Sequence, residues 1–143
     1  MRPDPAQFTL WHPVEVRFKD LDVGGHAHHS LALVYFEEAR ARYWSEVVGR
    51  GGVDQVDFIL AEARVRYHAR VLYPQRITVG VRVSFLGKKH FTMEYLARGV
   101  GGEDLVSGET TLVMFDYEEG KTRPVPAEIR EAVEAWEEGS GGD

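Results

Sequence analysis

The most informative part of this sequence is residues 20–30, which read Asp20-Leu21-Asp22-Val23-Gly24-Gly25-His26-Ala27-His28-His29-Ser30. A Gly-Gly pair separates the two carboxylates from the three histidines. The run that follows, from Leu31 to Val48, contains neither glycine nor proline and is rich in good helix formers. Titratable side chains therefore gather where a flexible turn leads into a helix. The first N–H groups of a helix have no partner within it, so this place favours developing negative charge.

The segment from Leu31 to Val48 predicts a mostly buried helix of about five turns. Ser30 can serve as its N-cap, and Gly49 as its C-terminal stop. Apolar residues fall on one stripe at helical spacing, and we expect them to be core residues: Ala32, Tyr35, Phe36, Ala39, Tyr43 and Val47.

Around this helix the hydrophobic period changes to two, which predicts strands. The expected strands are Val14–Phe18, Phe58–Leu72, Ile77–Phe85, Phe91–Ala97 and Leu105–Tyr117. In the second of them, the residues expected on the buried face are Ile59, Ala61, Ala63, Val65, Tyr67, Ala69 and Val71. The order predicts an α+β fold, with a five-stranded antiparallel sheet wrapped around one long central helix. We expect a single domain over 1–143, with a loosely held lead-in over 1–12 and an acidic surface helix and frayed tail over about 126–143.

Composition narrows the class of protein. The chain has 143 residues, 43% of them hydrophobic, which is enough for one domain with a sizeable core. No apolar run approaches the length of a membrane span, and the N-terminus does not look like a secretory signal. The absence of cysteine excludes disulfides, thiolate metal sites and a cysteine nucleophile, and it fits a reducing cytoplasm. We expect a cytoplasmic protein without a membrane partner.

Charge is distributed unevenly along the chain. The formal net charge is −6, yet the segment Arg64–Arg98 has eight basic residues and one acidic residue. Such a segment is either a solvated sheet face or a patch for an anionic ligand such as a phosphorylated cofactor. Nucleic acid is not an expected partner, because the chain as a whole would repel it.

Several kinds of chemistry are open to residues 20–30. Asp20 and Asp22 are each either a turn-forming residue or a carboxylate nucleophile or general base. The histidines could bind zinc with the neighbouring carboxylates, but no second ligand cluster is evident, so we expect polar loop histidines and no metal. Gly24-Gly25 matches neither a dinucleotide fingerprint nor a Walker loop, and no Gly-X-Ser-X-Gly elbow is present.

Two motifs taken together resemble a known family. Residues 17–26 read Arg-Phe-Lys-Asp-Leu-Asp-Val-Gly-Gly-His, and residues 35–40 read Tyr-Phe-Glu-Glu-Ala-Arg. This combination is similar to the signature of the hotdog-fold acyl-CoA thioesterases, in the 4-hydroxybenzoyl-CoA thioesterase family that includes the Tol–Pal-associated bacterial members. The resemblance spans roughly Val14 to Tyr117, and residues 67–79 and 85–89 also resemble the family.

The resemblance implies a role for several residues. Asp22 falls on the catalytic carboxylate, and His29 falls where the backbone N–H at the helix start polarises the thioester carbonyl. Many relatives have Asn-Asn where this chain has His28-His29. The expected substrate-binding positions are Gly25, His26, Tyr67, Lys88 and Lys89. If the substrate is an acyl-CoA, the basic segment should supply the partners of its phosphates, and the candidates there are Lys88, Lys89 and either Arg82 or Arg98. Glu37 and Glu38 are the fallback carboxylates, because some members place the acid on the helix.

The resemblance also implies an assembly and a set of alternatives. Active sites in the family lie between subunits, so we expect a homodimer or a homotetramer. CoA is part of the substrate, and no separate cofactor is expected. Three other functions stay open: a non-catalytic module that binds acyl-CoA, a structural subunit and a hotdog dehydratase. Asp22 distinguishes the first of these from an enzyme, because a binding module does not need it.

Overall fold

The computed structural model describes residues 3–50 and 56–141, and shows an antiparallel sheet packed against helices. The strands are β1 (Leu10–Val16), β2 (Phe58–Tyr67), β3 (Gln75–Leu86), β4 (His90–Arg98), β5 (Asp104–Asp116) and β6 (Lys121–Thr122). The helices are α1 (Leu31–Tyr43), which continues as a π-helical turn (Trp44–Val48), and α2 (Ala127–Gly141). The strand order is β1-β3-β4-β5-β2, and the short β6 pairs with β5. The predicted α+β class is therefore confirmed.

Helix α1 packs into the concave side of the sheet much as its apolar stripe predicts. The buried residues of α1 include Ala32, Phe36 and Ala39, and Phe36 stacks on Tyr95 of β4 with ring centroids 4.6 Å apart. Gly49 takes a left-handed conformation with φ of 81°, as expected for a residue that ends a helix.

The sequence predicted that one central helix alone covers the apolar face of the sheet, and the structure corrects this prediction. Helix α2 buries Ile129 and Val133 in the core, so it is more than a surface helix. It is tied to α1 and to the sheet through Glu137, whose carboxylate accepts from the Tyr43 hydroxyl at 2.7 Å and from the Val83 backbone N–H at 3.0 Å. Neither helix, nor any other in the described residues, is both long and apolar enough to cross a membrane.

The N-terminal lead-in is more ordered than its prolines suggest. Strand β1 begins at Leu10, four residues before the predicted start, and Phe8 is buried against the ring of Trp11. The predicted first strand also ends early, because Phe18–Asp20 form a short 3-10 turn. The apolar side chains of this segment, scattered among prolines, gave no strand-like period.

Strand β2 differs most from its prediction. It ends at Tyr67 rather than Leu72, and most of its side chains are exposed because it lies at the edge of the sheet. Its register against β5 also shifts between Leu60 and Glu62, which leaves Ala61 as the extra residue of a β-bulge. Since a one-residue shift reverses the faces, Ile59 does not share a face with Val65. The period-two pattern could not reveal this bulge.

Candidate active site

The candidate site starts from a tight hairpin between β1 and α1. Leu21 pairs with Ala27, and the backbone N–H of Asp22 donates to the carbonyl of His26 at 2.9 Å. Gly25 has φ of 81°, a conformation that glycine adopts at little cost. A Cβ on Gly24 would lie 3.1 Å from Oδ1 of Asp22 and 3.0 Å from the His26 ring. The Gly-Gly pair therefore lets Asp22 and His26 approach each other.

Asp20 holds this hairpin against the rest of the fold. Its side chain is 2% exposed, and its carboxylate accepts from the Arg17 backbone N–H at 3.0 Å and the Tyr35 hydroxyl at 2.8 Å. Burial by itself would raise the pKa of Asp20. The two hydrogen bonds and the nearby Arg17 guanidinium more than offset it, so the pKa is lowered below its usual value. An ionised carboxylate with this many partners is a structural group.

Asp22 has a more open environment than Asp20. Its Oδ1 accepts from the Gly24 backbone N–H at 2.8 Å, and its Oδ2 lies 3.8 Å from Nδ1 of His26. The side chain is 24% exposed, so solvent or a substrate can reach it. A carboxylate with spare acceptor capacity beside an imidazole has the composition of a general acid–base pair.

The backbone N–H groups of residues 27–31, which lead into α1, differ in whether they have an acceptor. The amides of Ala27 and His28 donate to the carbonyls of Val71 and Asp20, at 2.8 and 2.9 Å. Those of Ser30 and Leu31 both donate to His28, to Nδ1 at 3.2 Å and to the carbonyl at 2.9 Å. Between them, the His29 N–H has no acceptor within hydrogen-bond distance among the described residues. It is a free donor at a helix N-terminus.

The cap of α1 differs from the sequence prediction. The side chain of Ser30 does not cap the helix. Instead the His28 ring accepts the Ser30 amide, and because an amide can only donate, Nδ1 of His28 must carry a lone pair. The Ser30 hydroxyl, 2.9 Å from the same nitrogen, therefore donates to it as well. His28 consequently has a structural task at the helix start.

Tyr67 connects the end of β2 to this helix start. Its hydroxyl donates to the His29 carbonyl at 2.6 Å, which fixes the peptide next to the free amide. Partial burial raises the pKa of Tyr67, so the hydroxyl stays protonated as a donor at neutral pH. A cavity of about 390 Å³ lies between the hairpin and the end of β2, and His26, His29 and Tyr67 are among the residues that line it.

The structure thus brings together most of the residues that the sequence singled out. His26, His29 and Tyr67 line the cavity. Gly25 precedes His26 in the chain, and Asp22 is placed beside the His26 ring rather than in the cavity wall. The fallback carboxylates do not line the cavity: Glu37 is 70% exposed, and Glu38 is 48% exposed and paired with His12.

Lys88 and Lys89 lie elsewhere. They occupy the turn between β3 and β4, and the Lys89 carbonyl accepts from Met114, which pairs with Phe58 at the start of β2. The cavity is at the other end of β2, beside Tyr67. In a single protomer these lysines are therefore a sheet length away from the cavity.

The basic segment Arg64–Arg98 is partly neutralised in the fold. Carboxylates from neighbouring strands pair with Arg64, Arg76, Arg82 and Arg98, through Glu109, Glu15, Glu94 and Asp104 respectively. Arg66, Arg70, Lys88 and Lys89 have no carboxylate at ion-pair distance in the described parts of the chain. The unpaired cations therefore include the two lysines that were predicted to bind phosphate.

Two further features were not evident from the sequence. Tyr35 was expected to be a core residue, yet it both holds Asp20 and lines the cavity. A second cavity of about 450 Å³ lies on the outer face of the sheet, where Arg64 and Arg66 are among its lining residues. No group of three or more possible ligands within residues 3–50 and 56–141 has the arrangement of a metal site.

Comparison with known proteins identifies the family. The profile of the thioesterase-like superfamily matches residues 16–133, most of the chain. The chain belongs to this superfamily. A thioesterase from Thermus thermophilus, whose structure contains coenzyme A and zinc, is 33% identical, with a TM-score of 0.80 over 88% of this chain and 98% of that one.

Two other proteins are similar to this chain over most of its length. The PA5185 protein of Pseudomonas aeruginosa PAO1 is 26% identical, with a TM-score of 0.80 over 90% of this chain and 92% of that one. The YsmA protein of Bacillus subtilis strain 168 is 27% identical over 116 residues, which is 81% of this chain and 79% of that protein. The curled antiparallel sheet with its helix is therefore the hotdog thioesterase architecture, and membership supports thioesterase-like hydrolase activity.

Proposed function

We propose that this chain is an acyl-CoA thioesterase of the 4-hydroxybenzoyl-CoA thioesterase family, in the branch that includes the Tol–Pal-associated proteins. It hydrolyses an acyl-CoA to a free carboxylic acid and CoA. The observation that carries the proposal is the free backbone N–H of His29 at the start of α1. It lies next to a cavity that is lined by His26, whose imidazole is the neighbour of the Asp22 carboxylate. The similar thioesterase from Thermus thermophilus binds coenzyme A, which supports CoA as the carrier.

In the proposed reaction the carbonyl carbon of the thioester is attacked while its oxygen accepts the His29 N–H. Negative charge builds on that oxygen in the transition state, where the amide and the positive end of the α1 dipole stabilise it. Tyr67 holds the His29 peptide in place through its 2.6 Å hydrogen bond. Collapse of the tetrahedral intermediate breaks the C–S bond and releases the CoA thiolate, which takes up a proton.

Two routes are consistent with Asp22 as the reacting carboxylate. As a general base it takes a proton from water, and the resulting hydroxide attacks the carbonyl carbon. As a nucleophile it forms a mixed anhydride, which water then hydrolyses to regenerate the carboxylate. His26, with Nδ1 3.8 Å from Asp22, orients the carboxylate in either case. Both routes consume one water molecule and give the same products.

The remaining parts of the proposal concern assembly and location. We assign substrate contacts to Gly25, His26 and Tyr67 at the cavity, and phosphate contacts to Lys88 and Lys89. These lysines are distant from the cavity of their own protomer, so we propose that they act on the site of a second copy, with a homodimer as the minimal active unit. Dimers could pair again into a tetramer. A cytoplasmic location stays a prediction from the lack of cysteine.

The test is a panel of short, long and aromatic acyl-CoAs, with release of CoA followed by a thiol-reactive dye. We expect saturable hydrolysis of at least one substrate by the wild-type protein, and no hydrolysis in a control that contains buffer without protein. Isothermal titration with CoA distinguishes the alternative: binding of CoA without hydrolysis of any substrate in the panel would favour the non-catalytic binding module and contradict an enzyme.

A further inference from the structure

The cavity of the candidate site combines buried apolar residues with exposed polar ones. The buried residues that line it include Ala32, Val71 and Val106, whereas His29 and Arg70 are exposed. Buried apolar side chains accommodate an apolar group, and exposed polar side chains can pair with a polar one. A ligand that fits this cavity therefore has an apolar segment and a polar end.

The charge of the cavity wall indicates which polar end it accepts. In the described part of the chain, no Asp or Glu is among the residues that line this cavity. The second cavity, on the outer face of the sheet, differs in this respect, because Asp4, Glu94 and Glu109 line it together with two arginines. The lack of acidic side chains is therefore a property of the candidate site and not of every cavity in this acidic chain. An anionic group that enters the site meets no carboxylate in the wall.

Arg70 supplies a cation to this wall. Among the described residues no carboxylate lies at ion-pair distance from it. Its guanidinium is a planar fork of donors that matches a carboxylate through two parallel hydrogen bonds. The backbone is held on both sides of it, since the Ala69 N–H donates to the Leu105 carbonyl at 3.1 Å and the Val71 carbonyl accepts from the Ala27 N–H at 2.8 Å. Arg70 is therefore a charged donor on an anchored segment, available to a ligand.

Residues 26–28 separate Arg70 from the reacting carboxylate. The N–H of Ala27 donates to the carbonyl of Val71, whereas the flanking residues 26 and 28 bond to residues 22 and 20. The segment that carries Arg70 and the segment that carries Asp22 therefore lie on opposite sides of residues 26–28. A substrate whose far end reaches Arg70 keeps its second negative charge away from Asp22.

We propose that Arg70 selects the acyl group, and that the preferred substrates are CoA thioesters of short dicarboxylic acids. This inference rests on the proposed function and specifies its substrate class. The methylene groups of the acyl chain pack on Ala32, Val71 and Val106, and the free carboxylate at its far end pairs with the Arg70 guanidinium. Hydrolysis of the thioester consumes one water molecule and releases a dicarboxylic acid and CoA.

The preference comes from the difference between two matched acyl groups. A neutral acyl group of the same length keeps the apolar contacts, but it gives the guanidinium no partner and displaces water from it. Because Arg70 is exposed, solvent screens its pairing with the substrate, so the discrimination is smaller than at a buried site. We expect kcat/KM to favour the carboxylate-ended substrate by about tenfold or more.

The test compares pairs of substrates that differ only at the far end of the acyl chain. Succinyl-, glutaryl- and adipyl-CoA end in a carboxylate, and butyryl-, pentanoyl- and hexanoyl-CoA have a methyl group in its place. Release of CoA is followed with a thiol-reactive dye, and the rate in buffer without protein is subtracted. We expect the carboxylate-ended member to have the higher kcat/KM in at least one pair. Values that are equal, or higher for the neutral member, in all three pairs would overturn the proposal.

Variants of Arg70 show whether this residue is the origin of the preference. Arg70→Gln should bring the ratio of the two kcat/KM values close to one, mainly through KM of the carboxylate-ended substrate. Arg70→Lys keeps the charge without the fork of donors and should retain part of the preference. Arg66→Gln is the matched control, because it removes the same charge from a residue that lines the outer cavity. An equal loss of preference in Arg66→Gln and Arg70→Gln would indicate general electrostatic attraction and contradict a contact with Arg70.

Thioesters of pantetheine distinguish the acyl carboxylate from the phosphates of CoA, because pantetheine carries no phosphate. The preference for glutaryl- over pentanoyl-pantetheine should be present in the wild type and lost in Arg70→Gln. If Arg70 instead contacted a phosphate, Arg70→Gln would raise KM for both CoA thioesters of a pair equally and leave their ratio unchanged, which would overturn the proposal.

A binding measurement separates this inference from the proposed function. If the wild type hydrolysed no acyl-CoA, the thioesterase assignment would be wrong, and isothermal titration with glutaryl-CoA and pentanoyl-CoA would still decide the role of Arg70. Binding of glutaryl-CoA that is about tenfold tighter, and that loses this advantage in Arg70→Gln, would support a carboxylate site at Arg70. Equal affinities of the wild type for the two compounds would overturn it.

Discussion

Asp20→Asn tests whether the candidate site depends on a buried anchor. The Asp20 carboxylate is 2% exposed and accepts three hydrogen bonds, two of them from Arg17 (backbone N–H at 3.0 Å, guanidinium at 3.3 Å) and one from Tyr35 (2.8 Å). Both oxygens accept, so whichever one becomes an amide nitrogen, at least one donor loses its acceptor. Hydrogen bonds to charged groups contribute about 1.5–3 kcal/mol each. We expect the free energy of unfolding to fall by about 2–3 kcal/mol.

Urea unfolding followed by tryptophan fluorescence measures this change. Tyr35→Phe is a graded control, because it removes one donor and keeps the carboxylate, and it should cost about 1 kcal/mol. Asp22→Asn is a positional control: its partly exposed side chain can keep the hydrogen bond from Gly24, so the loss should be well under about 1 kcal/mol. An Asp20→Asn variant as stable as Asp22→Asn would refute the assignment of Asp20 to holding the hairpin.

Three further predictions rest on the same geometry. The pKa of Asp20 is lowered in the folded state, so its stabilisation is complete above the unfolded pKa of about 4 and is lost as the pH falls through the folded pKa. The unfolding free energy of the wild type, measured with urea, should therefore drop more steeply below about pH 4 than that of Asp20→Asn, and equal slopes for the two proteins would contradict this. Tyr67→Phe removes the hydrogen bond to the His29 carbonyl and should lower kcat by about 2- to 12-fold, since such a bond contributes about 0.5–1.5 kcal/mol. An unchanged kcat in the thiol assay would show that Tyr67 does not position the His29 amide. Replacing Lys88 and Lys89 with alanine should raise KM for acyl-CoA with little change in kcat, and should leave KM unchanged for an acyl-pantetheine that lacks the nucleotide; an equal rise in both KM values would show that these lysines do not contact the phosphates.

The sequence predicted the elements whose periodicity is set by the core. The stripe through Ala32, Phe36 and Ala39 is buried as expected, and four strands from Phe58 onward are in place. The errors have physical causes. The bulge at Ala61 has no signature in the residue types of β2, so the period-two pattern did not reveal it. The burial of Ile129 and Val133 depends on where α2 packs in the tertiary structure, which the local sequence does not specify.

The site shows the same division between local and long-range information. The turn at Gly24 and Gly25 and the helix that follows could be predicted, because both depend on neighbours in sequence. The bond from Tyr67 to the His29 carbonyl joins residues 38 positions apart, and the capping role of His28 depends on a ring nitrogen. Neither has a signature in residue spacing.

The central claim is that Asp22 supplies the reacting carboxylate opposite the His29 amide. The most direct test is kcat for acyl-CoA hydrolysis by Asp22→Asn, measured with the substrate that the wild-type protein cleaves best, alongside acyl-CoA binding. Asparagine keeps the shape of the side chain and removes its charge. We predict a loss of kcat on the order of 10²-fold or more, with substrate binding retained. A kcat near that of the wild type would contradict the account.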